Sequence, residues 1–348
     1  MTEDLDFRQR LGHFLACVWP DALSIEVAAL QSIVGGWSKR MFALDVTLTH
    51  RNRTERQKLI LRINAPDNSA ILRNDRAVEH RLLACLKQHT RLPVPRSLFV
   101  DAEGQFFGAQ AMLLEHLPGN PRISALAPAD VEPIAEHVVE LMAQLHTTQP
   151  SLLNADGMLS DPDGWGVRTD SWDAYIDSSC DAWRRHYQDI AFDTLPIIYD
   201  GFLSLRRHKP RPLPLVVVHG ELNPNNLITQ DGRITGLIDW ERAHVGDPRE
   251  DLAWFRYFEQ AMAGTNLVRS VRRDGGYLGY YNRLTGFDVT EEELEYFTAF
   301  SHSDVSYGPY ASIRRGLLGE HDEITKTYFL AEAIGAQATL SQLLHYPA

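Results

Sequence analysis

A chain of 348 residues exceeds what one hydrophobic core usually organises, so two lobes are expected, each able to bury its own core. Its 34 Lys plus Arg against 46 Asp plus Glu give a net charge of −12, which opposes non-specific attraction to DNA, RNA or an anionic membrane and points to small-molecule partners. An anionic nucleotide stays compatible with that charge, because a local cradle of backbone N–H groups and a metal ion can override the global field.

The opening Met-Thr-Glu-Asp-Leu-Asp lacks the basic start and apolar run of a signal peptide, and no stretch approaches the ~18 uninterrupted apolar residues of a membrane span. Cys17, Cys85 and Cys180 are widely spaced and odd in number, which fits a reducing cytoplasm. Leu5, Leu11, Phe14, Leu15 and Val18 fall at helical spacing. Pro20 and Asp21 interrupt, and a second short helix is read at 24–30, so that residues 1–30 form a helical preface. From 31 to 49 the pattern turns to strands: Ile33-Val34, a Gly35-Gly36 break, then Met41, Phe42, Leu44, Val46 and Leu48, a hairpin with a glycine-rich turn. A polar loop over 50–57 leads to a third, buried strand at 58–63, ended by Pro66. Ala77, Val78, Leu82, Leu83 and Leu86 mark a helix over 70–88, and two more strands are expected at 96–100 and 107–114.

Around Glu115 to Pro121 regular structure breaks, which places a small lobe at 31–115 and a larger one at 116–348. The larger lobe is mostly helical, with patterns at 129–147, 172–189, 249–262, 290–302 and 323–344. Short strands recur at 215–218, 226–229 and 234–238, the last two joined by Asp231-Gly232, a hairpin turn signal. The fold class is α+β in two lobes.

The densest chemical text is Val216-Val-Val-His-Gly-Glu-Leu-Asn-Pro-Asn-Asn-Leu-Ile228, then Gly236-Leu-Ile-Asp-Trp-Glu-Arg-Ala-His-Val-Gly-Asp-Pro248 and Asp251-Leu-Ala-Trp254. It resembles the aminoglycoside phosphotransferases of the protein-kinase-like superfamily, which carry His-Gly-Asp, an Asn five positions later, an Ile-Asp-Trp segment, and Gly-Asp-Pro followed by Asp-Leu-Ala. The resemblance implies a protein-kinase-like fold, with an antiparallel sheet and a helix in the small lobe, and a kinase acting on a small-molecule hydroxyl with Mg2+ and ATP or GTP. Phosphoryl transfer asks for a positioned acceptor and a divalent cation on the phosphates, and leaves little covalent work to the protein. On this pattern His219 and Glu221 belong to the catalytic loop, Glu221 orienting the acceptor hydroxyl, while Asn226 and Asp239 hold the metal through oxygen atoms. Asp247 and Asp251 tie the loop to the following helix. One departure is the Glu at 221 where the family has Asp, which moves the carboxylate by about 1.5 Å, one C–C bond length.

The resemblance extends upstream. Gly35, Gly36 and Ser38 stand where the family has its nucleotide loop, Arg62 where kinases offer a Lys to the phosphates, and Glu79 where a helix carboxylate holds that cation. Lys58 shares the face of Arg62. Leu114, Glu115 and His116 match the hinge whose backbone groups pair with adenine, and His146 ends a large-lobe helix. The text at 280–301 is similar to kinase-like domains fused to some acyl-CoA dehydrogenases, which favours a hydroxyacyl-type acceptor, with Trp172, Trp183, Tyr307 and Tyr310 as candidate lining. An antibiotic kinase stays open, the acidic run Glu291-Glu292-Glu293 and Glu295 being of a kind that meets polycations, as does a catalytically weakened nucleotide-binding protein. Neither a His-Glu-x-x-His zinc pattern nor a Gly-x-Ser-x-Gly elbow nor a P-loop occurs.

Overall fold

The structure, a computed structural model, describes residues 2–33, 39–64, 75–121, 123, 126–190, 196–259, 265–305, 307–319, 337–338 and 340–342. The chain divides into two compact units, residues 1–87 with 94–117, and 88–93 with 118–348.

The smaller unit holds α1 (Thr2–Val18), β1 (Ser24–Ile33), β2 (Lys39–Thr49), β3 (Thr54–Asn64), α2 (Arg76–His89), β4 (Ser97–Asp101) and β5 (Ala111–Glu115). Its five strands form one antiparallel sheet in the order β1-β2-β3-β5-β4. Alternation decides which face is covered. Phe42, Leu44, Val46 and Leu48 of β2 and Leu59, Leu61 and Ile63 of β3 pack with Leu11, Phe14 and Leu15 of α1 into one core. Phe14 anchors the helix, meeting Phe99 and Phe106 edge-on with ring centres 5.3 and 5.5 Å away.

Residues 24–30, expected to be helical, are the first part of β1, with Ile25 opposite Leu48 and Val27 opposite Val46. Ladder pairing to β2 outweighs the local helical preference of Ala28-Ala29-Leu30. The expected loop 50–57 is likewise shorter, because Thr54 to Gln57 pair with β2 although their side chains are polar. Such residues fit a strand whose neighbouring surface is wet.

The larger unit contains α3 (Pro128–Thr147), α4 (Pro150–Leu153), α5 (Trp172–Ile190), α6 (Pro196–Arg207), β6 (Val216–Val218), β7 (Leu227–Gln230), β8 (Arg233–Leu237), β9 (His244–Gly246), α7 (Arg249–Phe258), α8 (Leu267–Ser270), α9 (Gly276–Thr285), α10 (Glu291–Val305) and α11 (Tyr307–Leu317). Two antiparallel ribbons, β6 with β9 and β7 with β8, carry the motif segment. Asp231 and Gly232 turn the second ribbon with φ of 50° and 69°, the left-handed pair a two-residue hairpin requires. Of the helix expected over 323–344, nearly all lies outside the described residues.

Candidate active site

The segment after β6 is shaped by backbone constraints. Gly220 runs at φ +77°, and a Cβ there would stand 2.1 Å from the Arg242 carbonyl oxygen, so only glycine fits. The Asp251 carboxylate, on α7, accepts the N–H groups of His219 at 2.8 Å and Gly220 at 3.0 Å. It also meets His146 Nε2 at 3.1 Å, and His146 Nδ1 in turn meets the Tyr281 hydroxyl at 2.8 Å. Burial alone would raise this carboxyl, but the bonds from His146 and the His219 amide hold it below the ordinary carboxylate range.

His219 itself is fully buried, with its ring centre 4.5 Å from that of Trp240. Its Nε2 lies 3.0 Å from the Ile238 carbonyl, and its Nδ1 accepts the Glu221 N–H at 3.4 Å. Both ring nitrogens are thus committed to backbone, so the geometry makes His219 a support for the loop rather than a group that touches substrate.

Glu221 is half-buried. Its carbonyl accepts the side-chain amides of Asn223 at 3.1 Å and Asn226 at 2.9 Å, which leaves the Asn226 oxygen as the atom a cation would use. The Asn226 carbonyl in turn accepts the Ile238 N–H at 3.0 Å, fastening this arm to the one that carries Asp239. Asp239 sits in the left-handed region, at φ 70° and ψ 61°, before the tight turn Trp240–Arg242. That conformation costs a non-glycine residue about 1–2 kcal/mol, and such strain concentrates at working sites.

The turn delivers a residue that the sequence reading passed over. Carboxylate oxygens of Glu221, Asp239 and Glu241 all lie within 4.8 Å of one another. Three like charges at that spacing repel unless a cation joins them, and hard carboxylate and amide oxygens are the donors magnesium takes. The donor set therefore fits a divalent cation. The signal in the sequence was the Asp-x-Glu spacing of 239 and 241, whose meaning depends on the left-handed turn between them.

A cavity in the same unit is bordered by Gly220, Glu241, the loop around Asp163 and Trp165, and helices α5, α7 and α10. In its wall Arg242 pairs with Asp163 at 3.4 Å and with Asp304. His244 faces Glu250 at 3.2 Å, and its Nδ1–H donates to the Arg242 carbonyl at 2.9 Å. Burial would lower the His244 pKa, yet the Glu250 carboxylate outweighs it and the ring is pushed up to about 9. Burial likewise holds the Glu250 carboxyl above the ordinary range, against the pull of His244. Among the residues expected to line an acceptor site, Trp183 borders this cavity. Trp172 and Tyr310 are core instead: the indole of Trp172 donates to Asp247 at 2.7 Å, and Tyr310 packs on Tyr187 with ring centres 5.9 Å apart. The Tyr307 side chain lies outside the described residues, and so do Gly35, Gly36 and Ser38. Asp247 binds Arg249 through both carboxylate oxygens, at 2.8 and 2.6 Å, fixing the loop to α7.

In the smaller unit Arg62 and Glu79 meet at 2.6 Å, 5 % and 2 % exposed. Arg76, which the sequence reading left aside, reaches the second Glu79 oxygen at 2.5 Å, so one buried carboxylate holds two guanidinium groups. Lys58 is exposed. Leu114 lies within β5 opposite Ile60. The N–H groups expected to read an adenine edge are engaged inside the unit, that of Glu115 with the Arg96 carbonyl at 2.9 Å and that of His116 with the Lys58 carbonyl at 3.0 Å. Ladder closure between β3, β4 and β5 claims them first.

Residues 29–287 match the model of the phosphotransferase enzyme family. The mouse acyl-CoA dehydrogenase family member 10 is 25% identical over 214 residues, 59% of this chain and 19% of that protein. Hygromycin-B 4-O-kinase of Escherichia coli is 30% identical over 181 residues, 47% of this chain and 50% of that one. The chain thus spans about a fifth of the first of these relatives and half of the second. A thermostable mutant of aminoglycoside phosphotransferase APH(4)-Ia, solved as a ternary complex with ADP and hygromycin B, superposes with a TM-score of 0.63 at 18% identity, covering 97% of this chain and 99% of that one. No helix among the described residues is long and apolar enough to cross a membrane.

Proposed function

The chain belongs to the phosphotransferase enzyme family, and on that premise we propose that it moves the γ-phosphoryl group of ATP or GTP to a hydroxyl of a small molecule. The observation that carries this reading is the triple carboxylate of Glu221, Asp239 and Glu241, which borders a cavity through Glu241.

In the proposed reaction the acceptor oxygen attacks the γ-phosphorus, the bond to the β-phosphate oxygen breaks, and the hydroxyl proton passes to the Glu221 carboxylate. Asp239, Glu241 and the Asn226 oxygen would hold Mg2+, which supplies neutralisation of phosphate charge when bound. Asp251 fixes the backbone on which Glu221 stands, through the amides of His219 and Gly220. The longer side chain at 221 suits a carboxylate whose backbone carbonyl is pinned by two asparagines, because the extra bond then extends from a fixed base. Arg62, held by Glu79, is the candidate phosphate contact of the smaller unit, its fork offering more donors than a lysine.

The relatives bring two acceptor classes to this chain. Similarity to an acyl-CoA dehydrogenase family member favours a hydroxyacyl-type metabolite, and similarity to hygromycin-B 4-O-kinase favours an antibiotic.

Thermal unfolding with ATP and GTP, each with and without Mg2+, tests the reading. A nucleotide at a hundredfold excess over its Kd stabilises by about 2.7 kcal/mol, which is visible in Tm. A magnesium-dependent rise that disappears in Asp239→Ala is the expected result; no rise with either nucleotide would contradict it.

A further inference from the structure

Resting on the phosphotransferase reading, we propose that the cavity bordered by Gly220 and Glu241 receives an uncharged, ring-bearing hydroxyl compound, its ring face held against Trp165, Trp183 and Phe300, in preference to a polycation or a free carboxylate.

The first support is charge. Nearly every ionisable group of the wall is already matched inside the protein. Arg242 lies between Asp163 at 3.4 Å and Asp304. His244 is paired with Glu250 at 3.2 Å. Asp161 engages its two oxygens with the N–H groups of Trp165 at 2.9 Å and Gly166 at 2.7 Å. A polycation would have to draw a carboxylate away from one of these partners, and a carboxylate guest would compete with Asp163 and Asp304 for Arg242. Either exchange strands a charge in a place water reaches poorly, where unpaired charge is costly. Glu241, which also borders the cavity, belongs to the carboxylate cluster that the proposed reaction itself uses.

The second support is the aromatic wall. Trp183 meets Phe300 edge-on with ring centres 4.6 Å apart, and Phe300 meets Tyr175 at 5.8 Å. Trp165 sits on a loop, yet both of its backbone polar groups are held, its N–H by Asp161 and its carbonyl by Arg185 at 2.8 Å. Rings held in place before a guest arrives accept the flat face of an aromatic group or the C–H face of a sugar at little cost in side-chain freedom. Trp254 adds a polar handle: it is 6 % exposed, borders the cavity, and its indole nitrogen has no acceptor among the described residues. An oxygen on the guest is the partner that a buried donor of this kind lacks.

Calorimetric titration of the full chain, loaded with Mg2+ and AMP-PNP, distinguishes the classes with three probes: phenyl β-D-glucopyranoside, kanamycin and 4-hydroxydecanoate. The expected result is saturable binding of the glucoside at least about tenfold tighter than either other probe, weakened about tenfold in Trp165→Ala and largely kept in Trp165→Phe. Both variants should keep the melting shift given by Mg2+ and AMP-PNP, which shows that they fold. Equal or tighter binding of kanamycin or hydroxydecanoate, no saturable heat from the glucoside, or indifference of the glucoside to Trp165→Ala would each overturn the proposal while the nucleotide shift keeps the phosphotransferase reading alive. Absence of that shift in the wild type would instead sink the reading and this inference together.

Discussion

Gly220 and Glu79 are single residues on which much depends. Alanine at 220 would need to displace the Arg242 carbonyl, 2.1 Å from its Cβ, in a backbone region that already disfavours side chains. Gly220→Ala should lower unfolding free energy by about 2 kcal/mol or more, measured by urea denaturation, and abolish nucleotide turnover. Removing the Glu79 carboxylate leaves Arg62 and Arg76 buried without their shared partner. Glu79→Ala should therefore cost about 3–5 kcal/mol by the same measurement, whereas Glu115→Ala, which breaks a half-exposed pair with Lys87, should stay within about 1 kcal/mol. At this scale the sequence announced a contact when residue type and position in a motif were enough, as for the Arg62–Glu79 pair. It was silent when the role arises from a conformation. Glu241 enters the carboxylate cluster only because Asp239 adopts a left-handed backbone, and Arg76 joins Glu79 only because the helix starts where it does.

Among elements, β9 and α7 are joined by the pair of His244 and Glu250. The ordinary His pKa is about 6.5 and the folded value about 9, so the folded state keeps a proton that the unfolded chain has lost between those limits. The stabilisation is fully present below pH 6.5, declines as pH rises, and is gone above about 9. Its size is of order 1–3 kcal/mol. Urea midpoints followed from pH 6 to 10 should fall for the wild type and stay flatter for His244→Gln; parallel curves would show that the pair does not matter. Strand and hairpin text was readable where turn chemistry marked it, as at Asp231-Gly232. It failed at 24–30, where Ala28, Ala29 and Leu30 favour a helix locally and only the distant partners in β2 make them a strand. The hinge segment shows the same limit from the other side. There the N–H groups of Glu115 and His116 serve the sheet, which no local pattern reveals.

For the whole molecule, the acidic balance of −12 and the clustered carboxylates of the larger unit are the reason the proposed phosphate chemistry calls for a cation. The α+β division into a sheet-bearing unit and a helical one was legible because periodicity changes from two to 3.6 along the chain, a signal summed over many residues and tolerant of local errors. The proposed acceptor cavity was not legible, since it is assembled from a loop, three helices and a turn that lie far apart in sequence. The measurement that tests the central claim most directly is magnesium-dependent release of ADP from ATP, with water as the default acceptor, by the wild type, Glu221→Gln and Glu241→Gln. Turnover that requires Mg2+ and falls at least ~10²-fold in Glu221→Gln is predicted, as expected for loss of a positioned base. Turnover that ignores Mg2+, or that survives Glu221→Gln unchanged, would contradict the assignment of this carboxylate cluster to phosphoryl transfer.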